Sequence, residues 1–317
     1  MQRRAIMAAT AGAVLIAASA VPAERTVSGD GIITVKVNGE PVPVRVDPAA
    51  PGMPLLTNAT GERLGLKMSG KLGIGFIYSV GPTRVSSKTR VARVNFGGGA
   101  AKQRIGWSER PFSAVAEGSV GPAGLPEPVV RFVLRAPQPG ERTFSLPMTQ
   151  IGFPLNLFGS GWTASFAIID VGGQPMRVRF DPYHSRSLAT AGAAARLARF
   201  HDGTLSGEAV STEIFFGVER PVRFMRLARP IGIGTLSIAT LGVRIQDAGN
   251  AGAIREAGAA VEPVDPDEVV VTGKKKRDVR RDVLSLGADA LSRCSSLLFD
   301  KPAGQIRLSC LPLAASG

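Results

Sequence analysis

The sequence predicts a mostly-β protein of two similar lobes in one chain, with only short helices. Three observations predict it. The 317 residues include 38 Gly and 23 Pro, which favour frequent turns over long helices. Hydrophobic residues make up 44% and charged residues 20%, a globular composition that excludes wholesale disorder. A 14-residue segment also recurs 134 residues downstream, so the chain carries the same supersecondary unit twice.

The first element is an address. Residues 1–23 read as a secretory signal, with Arg3 and Arg4 at its charged start and an apolar stretch from Ala5 to Ala17. Small residues at Ala18 and Ala20, or at Val21 and Ala23, fit cleavage between residues 20 and 23. The apolar run is shorter than the roughly 20 residues a membrane span needs, which favours cleavage over anchoring. The residues after Arg3-Arg4, Ala-Ile-Met, give little support to a twin-arginine route. A periplasmic or secreted protein is expected. Pro230 to Val243, the best apolar run elsewhere, is too short and Gly-rich to span a membrane.

The repeat organises the rest. Val35 to Pro48 (VKVNGEPVPVRVDP) aligns without gaps with Ile169 to Pro182 (IDVGGQPMRVRFDP). Val37/Val171, Gly39/Gly173, Pro41/Pro175, Val44/Val178, Arg45/Arg179, Asp47/Asp181 and Pro48/Pro182 are identical. Each copy reads as a β-hairpin with a Gly-x-Pro turn and a second strand that ends at an Asp. A short helical segment carrying Arg-Leu follows each, Ala59 to Leu66 and Ala191 to Phe200. Each copy then reaches a Gly motif, Ser119 to Pro126 (SVGPAGLP) and Ser285 to Leu291 (SLGADAL). From Asp47 to Gly121 is 74 residues and from Asp181 to Gly287 is 106. The excess matches a low-complexity stretch, which is expected to be a flexible insertion.

The organisation is therefore a signal at 1–23, a first lobe at 24–157, a second lobe opening at 158–247, an acidic and basic linker at 248–283, and a closing helix and strand pair at 284–317. In that closing segment Ser295 to Asp300 and Ile306 to Ser309 read as strands around a Lys301-Pro302-Ala303-Gly304 turn. This places Cys294 opposite Cys310, and an oxidising compartment would make them a disulfide; two reduced buried thiols are the alternative.

Composition removes several functions. Two Cys and two His leave little room for a zinc site, and no metal or other cofactor is expected. Aromatic residues are only 6%, which disfavours a stacking platform for single-stranded nucleic acid, and no nucleic-acid partner is expected. The net charge of +13 is mostly dispersed, apart from the cluster Lys274, Lys275, Lys276, Arg277, Arg280 and Arg281. That cluster reads as a solvated linker or as a contact with an anionic envelope polymer or lipid.

An apolar strand ending in Asp, a short helix with Arg-Leu and an apolar-apolar-Gly motif, all present twice, resemble the retropepsin-like aspartic peptidases. The resemblance is closest to bacterial exported members with two lobes in one chain, and it covers roughly residues 31–311 apart from the linker. It implies a two-lobed acid-protease fold with a cleft between the lobes. Asp47 and Asp181 would then form a dyad that shares one proton and activates water. One chain carries both lobes, so a monomer is sufficient. The family holds its carboxylates on Asp-Thr-Gly turns, whereas this chain has Asp47-Pro48-Ala49 and Asp181-Pro182-Tyr183. Both hydroxyls that would cross-brace the lobes are gone, and Pro supplies no N–H. Arg45 and Arg179, two residues before each Asp, share a strand face with it. They could pair with the carboxylates and oppose proton sharing.

Three functions are therefore expected. The first is a divergent, catalytically impaired homologue binding peptide or a partner protein in the cleft. The second is an active aspartic endopeptidase using Asp47 and Asp181. The third is an envelope interaction protein acting through residues 262–281, where Glu268 to Gly273 resembles the short box near the start of TonB-dependent outer-membrane receptors. Weaker readings attach to the remaining residues. His184 and Ser185 beside Asp181 lack the convergence of a Ser-His-Asp site. His201 reads as a surface turn, Gly97-Gly98-Gly99 as a turn rather than a phosphate loop, and Trp107 and Trp162 as core.

Overall fold

The computed structural model describes residues 23–68, 73–152, 163–247, 249–259 and 281–312. The predicted signal (apart from Ala23), Trp162 and most of the predicted insertion, including Glu268 to Gly273 and the run from Lys274 to Arg280, lie outside these residues. The chain is mostly β with short helices. Strands β1 (Glu24–Val27), β2 (Ile32–Val37), β3 (Glu40–Val46) and β4 (Leu55–Thr57) lead into helix α1 (Asn58–Arg63). Strands β5 (Ile74–Val80), β6 (Thr83–Asn95), β7 (Ala100–Ser108), β8 (Gly118–Val120), β9 (Val129–Val133) and β10 (Arg142–Gly152) follow. Then come β11 (Thr163–Asp170), β12 (Pro175–Phe180), β13 (Leu188–Thr190) and α2 (Ala191–His201). The chain continues through β14 (Gly203–Glu213), β15 (Glu219–Ile233), β16 (Leu236–Arg244), β17 (Arg255–Glu256) and β18 (Val283–Leu286). It closes with α3 (Ala288–Leu291), β19 (Cys294–Asp300) and β20 (Gln305–Cys310).

The strands form two sheets. One has seven strands in the order β2-β3-β8-β4-β7-β6-β5, and β2 also pairs with β6, which curls it toward closure. The other has 13 strands in the order β1-β9-β19-β20-β10-β11-β12-β18-β13-β16-β15-β14-β17. Strands β1, β9 and β10, all within residues 24–157, are hydrogen-bonded into this larger sheet, with β19 and β20 between β9 and β10.

The two copies of the repeated segment make the same pairings. β3 runs parallel to β8, with Val44, Arg45 and Val46 opposite Gly118, Ser119 and Val120. β12 runs parallel to β18, with Val178, Arg179 and Phe180 opposite Leu284, Ser285 and Leu286. β4 lies antiparallel to β8 and parallel to β7, and β13 lies antiparallel to β18 and parallel to β16. The period-2 pattern explains these strands: Val42, Val44 and Val46 of β3, and Met176, Val178 and Phe180 of β12, are each at most 1% exposed. Both sets enter one core with Leu197 of α2 and Trp107 of β7.

The hairpin turns fall earlier than the Gly-x-Pro reading placed them. The first is Asn38-Gly39, with φ of 52° and 98°, and the second includes Gly172-Gly173, with φ of 63° and 76°. A two-residue turn with positive φ at both positions matches strand twist, and Asn-Gly supplies it at low cost. Pro41 therefore lies inside β3, opposite Lys36. It is tolerated because the other edge of β3 gains a partner only from Val44 onward.

Gly121 and Gly287 follow β8 and β18 and allow close packing. A Cβ on Gly121 would overlap the carbonyl of Ala50, and one on Gly287 the backbone of Arg186. α1 is capped by the Thr57 hydroxyl, which accepts from Thr60 N–H at 3.1 Å. α2 ends at Asp202, which adopts the left-handed conformation at φ 50°.

Cys294 and Cys310 face each other across β19 and β20, both fully buried, and are joined by a disulfide. The two cysteines are 16 residues apart, so the chain-entropy model gives the bond about 3 kcal/mol. Replacing both with Ala is expected to lower the unfolding free energy by about that amount in a urea titration. An unchanged midpoint would show that the bond does not restrain the unfolded chain.

Candidate functional site

Asp47 and Asp181 each sit one residue beyond a central strand. Asp47 N–H donates to the carbonyl of Val120 at 2.9 Å, and Asp181 N–H to that of Leu286 at 2.9 Å. The parallel pairings β3/β8 and β12/β18 are thus continued by one bond, and this fixes where each carboxylate leaves its strand. The chain then turns, with Ala50 N–H donating to Asp47 C=O at 3.0 Å and His184 N–H to Asp181 C=O at 3.1 Å. Pro48 and Pro182 have no N–H to offer a carboxylate. The Asp47 side chain instead accepts from Ala49 N–H at 2.8 Å.

Both carboxylates are buried, Asp47 at 4% exposure and Asp181 at 7%. Their pKa values are raised above the ordinary aspartate value of 3.8. For Asp47 the largest cause is desolvation and the next is the charge of Asp181; the Ala49 N–H, Arg45 and Arg179 oppose both. For Asp181 desolvation again leads, opposed by Arg179, the His184 N–H and Arg45. Two buried carboxyls whose charges act on each other do not both ionise freely, so they titrate as a unit that retains a proton above the usual range.

The arginines do not do what their spacing suggested. Neither Arg45 nor Arg179 forms an ion pair with Asp47 or Asp181; each guanidinium lies on an aromatic ring instead. Arg45 stacks 3.9 Å from the centre of the Tyr183 ring, and it donates to the Asp30 carbonyl at 2.8 Å and the Ser113 hydroxyl at 3.1 Å. Arg179 lies 5.1 Å from the Phe166 ring and 4.8 Å from the Phe215 ring, and its buried Nε has no hydrogen-bond partner among the described residues. Desolvation, aided by Arg244 and opposed by Asp181 and Asp47, pushes Arg179 down to about 10, so it stays charged at neutral pH. The expectation that these arginines hold the carboxylates ionised is corrected: they lower both pKa values, but burial outweighs them.

Tyr183 stands two residues after Asp181. Its ring reaches from the loop after β12 to Arg45, and its hydroxyl packs where a side chain on Gly31 would be. It thereby braces one half of the molecule against the other. Its phenol is pushed up to about 12, chiefly by burial and then by the charge of Asp47, and remains protonated.

A cavity of about 710 Å³ opens onto both carboxylates. Its walls come from Phe112 to Val115, Tyr183 to Arg186, Val210 to Phe215 and Phe224. Over the junction the β14–β15 turn meets the first half in an aromatic cluster. Phe112 stacks on Phe215 at 5.0 Å and meets Phe216 edge-on at 5.2 Å, and Tyr78 lies 4.9 Å from Phe216. Phe216 has φ 61°, a strained value for a bulky residue, and is 3% exposed. Burial of its ring offsets that strain. Strand periodicity does not single out Tyr78, Phe112, Phe215 or Phe216 in the sequence. The adjacent Phe215-Phe216 before Gly217, in a chain poor in aromatics, is the signal that could have pointed to them.

The remaining sequence candidates are structural. His184 accepts from Arg186 N–H at 3.2 Å and its other ring nitrogen faces the Glu213 carbonyl at 3.2 Å; it makes no hydrogen bond with Ser185. His201 contacts the Arg229 carbonyl at the end of α2. Gly97 and Gly99 donate to the Asn95 side chain in the β6–β7 turn. Trp107 is core at 3% exposure. Among the described residues no helix is long and apolar enough to cross a membrane, and no group of three or more His, Cys, Asp or Glu could hold a metal.

No family model matches the chain, and no curated protein does. Among solved structures it is similar to the retroviral protease-like domain of Ddi1 from Leishmania major. The identity is 20% over 28% of this chain and 70% of that one, with a TM-score of 0.20.

Raised carboxylate pKa values have a definite consequence for stability. The folded state holds protons that the unfolded state releases, so the pair's contribution is fully present below 3.8 and is lost as pH rises through the folded values. Each group contributes a slope of up to about 1.4 kcal/mol per pH unit in that window. Chemical denaturation at a series of pH values is expected to show this loss. Asp47→Asn is expected to flatten it and to gain stability at pH 7. A wild-type profile that rises with pH above 3.8, with Asp47→Asn leaving it unchanged, would contradict the assignment.

Proposed function

We propose that the chain is a divergent, exported retropepsin-like protein that binds peptide in the cavity between its two lobes. One observation carries this reading: two buried carboxylates, neither in an ion pair among the described residues, line the same cavity. In their singly protonated state one carboxyl donates to a peptide carbonyl and the other accepts from an N–H or a water. The pair therefore binds a peptide group from both sides of its hydrogen-bonding inventory. Pro48 and Pro182 leave the turns without hydroxyls to hold the carboxylates coplanar, and Tyr183 supplies the cross-junction contact instead. Binding needs only the shared proton, whereas hydrolysis also needs a water held in line with the scissile carbonyl.

The raised carboxylate pKa values favour a second reading, in which the dyad is an active aspartic endopeptidase. There the ionised carboxylate takes a proton from water while its partner protonates the carbonyl oxygen, so the charge on the pair is conserved.

One experiment separates them. The chain from residue 24 is incubated with a mixed peptide library from pH 3 to 7, beside Asp47→Asn and Asp181→Asn. Peptide retention without cleavage, weakened at least tenfold in both variants, is the expected result. Cleavage lost in both variants would establish the second reading. Neither retention nor cleavage by folded protein would remove both.

A further inference from the structure

The two sides of the junction differ, although they are built from the same repeated segment. In the first half the turn after Asp47 is sealed, and every residue from Val46 to Leu56 is buried. Ala49, Ala50 and Leu55 pack there with Tyr78, Phe112 and Phe216, and Gly121 N–H bonds the Pro51 carbonyl at 2.6 Å. In the second half the equivalent residues, Pro182 to Arg186, are half-buried or exposed, and Tyr183 to Arg186 line the cavity. A chain entering along the second half meets the dyad and then a packed wall.

The open side is apolar at its rim and cationic at one point. Val115, Val210 and Phe224 line it at 55%, 63% and 43% exposure, unusual values for large apolar side chains. Arg186 lies 4.8 Å from the centre of the Phe224 ring. Among the described residues its guanidinium makes no hydrogen bond or ion pair. The other lining arginine, Arg45, is already bonded to Asp30 and Ser113. Asp47, Asp181 and Glu213, the lining acids, repel an anion elsewhere in the cavity.

We propose that the cleft is one-sided and takes the carboxyl end of an apolar peptide, with the terminal carboxylate on Arg186. The proposal deepens the peptide-binding reading above and rests on it. An internal peptide segment would have to pass through the seal formed by Ala49, Ala50, Tyr78 and Phe216. A chain end stops short of it. A guanidinium placed over a ring, with its N–H groups unbonded among the described residues, can receive a carboxylate through two donors.

The test uses the chain from residue 24 and fluorescein-labelled octapeptides randomised over apolar residues, in three forms. One has a free C-terminal carboxylate, one a C-terminal amide, and one an amide with a single internal Glu. Fluorescence anisotropy is expected to show the free acid binding at least tenfold tighter than either amide. Arg186→Ala is expected to bring the free acid down to the affinity the same variant shows for the amides, a loss of preference that a folding defect would not give. Equal binding of acid and amide would overturn the one-sided cleft and leave the peptide-binding reading standing. Equal binding of the acid and the Glu-containing amide would show a side-chain subsite instead and overturn the proposal. Absence of binding by all three forms would overturn the proposal together with the reading it rests on.

Discussion

A buried carboxylate that stays ionised without a partner costs several kcal/mol, and this junction buries two, with the charge of Asp181 acting on Asp47. The backbone of each is held there by a bond that continues a parallel strand pairing, so neither main chain can move outward without breaking that ladder. The strain is relieved by retaining a proton. What lies around the pair is arranged to the same end. Arg45 and Arg179 are near enough to lower both pKa values but are held on aromatic rings, short of ion pairing. A direct pair would leave no proton to share and no free acceptor to face the cavity.

The aromatic residues therefore have two tasks at the junction. Tyr183 and Phe215 hold the arginines, and through them they set how strongly positive charge is felt by the dyad. Phe112, Phe216 and Tyr78 join the β14–β15 turn to the first half and close the junction from above. The first task is electrostatic and the second is packing, yet the adjacent Phe215 and Phe216 link them. Movement of that turn would disturb the Arg179 cation–π contact and the seal together. The resulting cavity is lined mainly by the second half, although the dyad comes equally from both.

Parts of this arrangement were legible in the sequence. The strands ending at Asp47 and Asp181 show a period-2 pattern and a repeated local sequence, and both features are local. The strand pair around Lys301 to Gly304, with Cys294 opposite Cys310, was readable for the same reason. The partners of Arg45 and Arg179 were not. Strand geometry puts an arginine and the aspartate two residues on at the same face, but Tyr183, Phe166 and Phe215 arrive from distant segments. The prolines of the two hairpins do not mark their turns: Pro41 and Pro175 lie in the second strands, and the positive φ values occur at Asn38-Gly39 and Gly172-Gly173. The asymmetry of the cleft was invisible, since it depends on which loop the aromatic cluster covers.

The central claim is that Asp47 and Asp181 share a proton. Its most direct test is a titration of the aspartate side-chain carboxyl carbons by 13C NMR, with signals assigned from Asp47→Asn and Asp181→Asn. The account predicts a coupled pair in which at least one carboxyl stays protonated well above 3.8, with the Asp47 value falling when Asp181 becomes Asn. Independent titration of both carboxyls at or below 3.8 would contradict it.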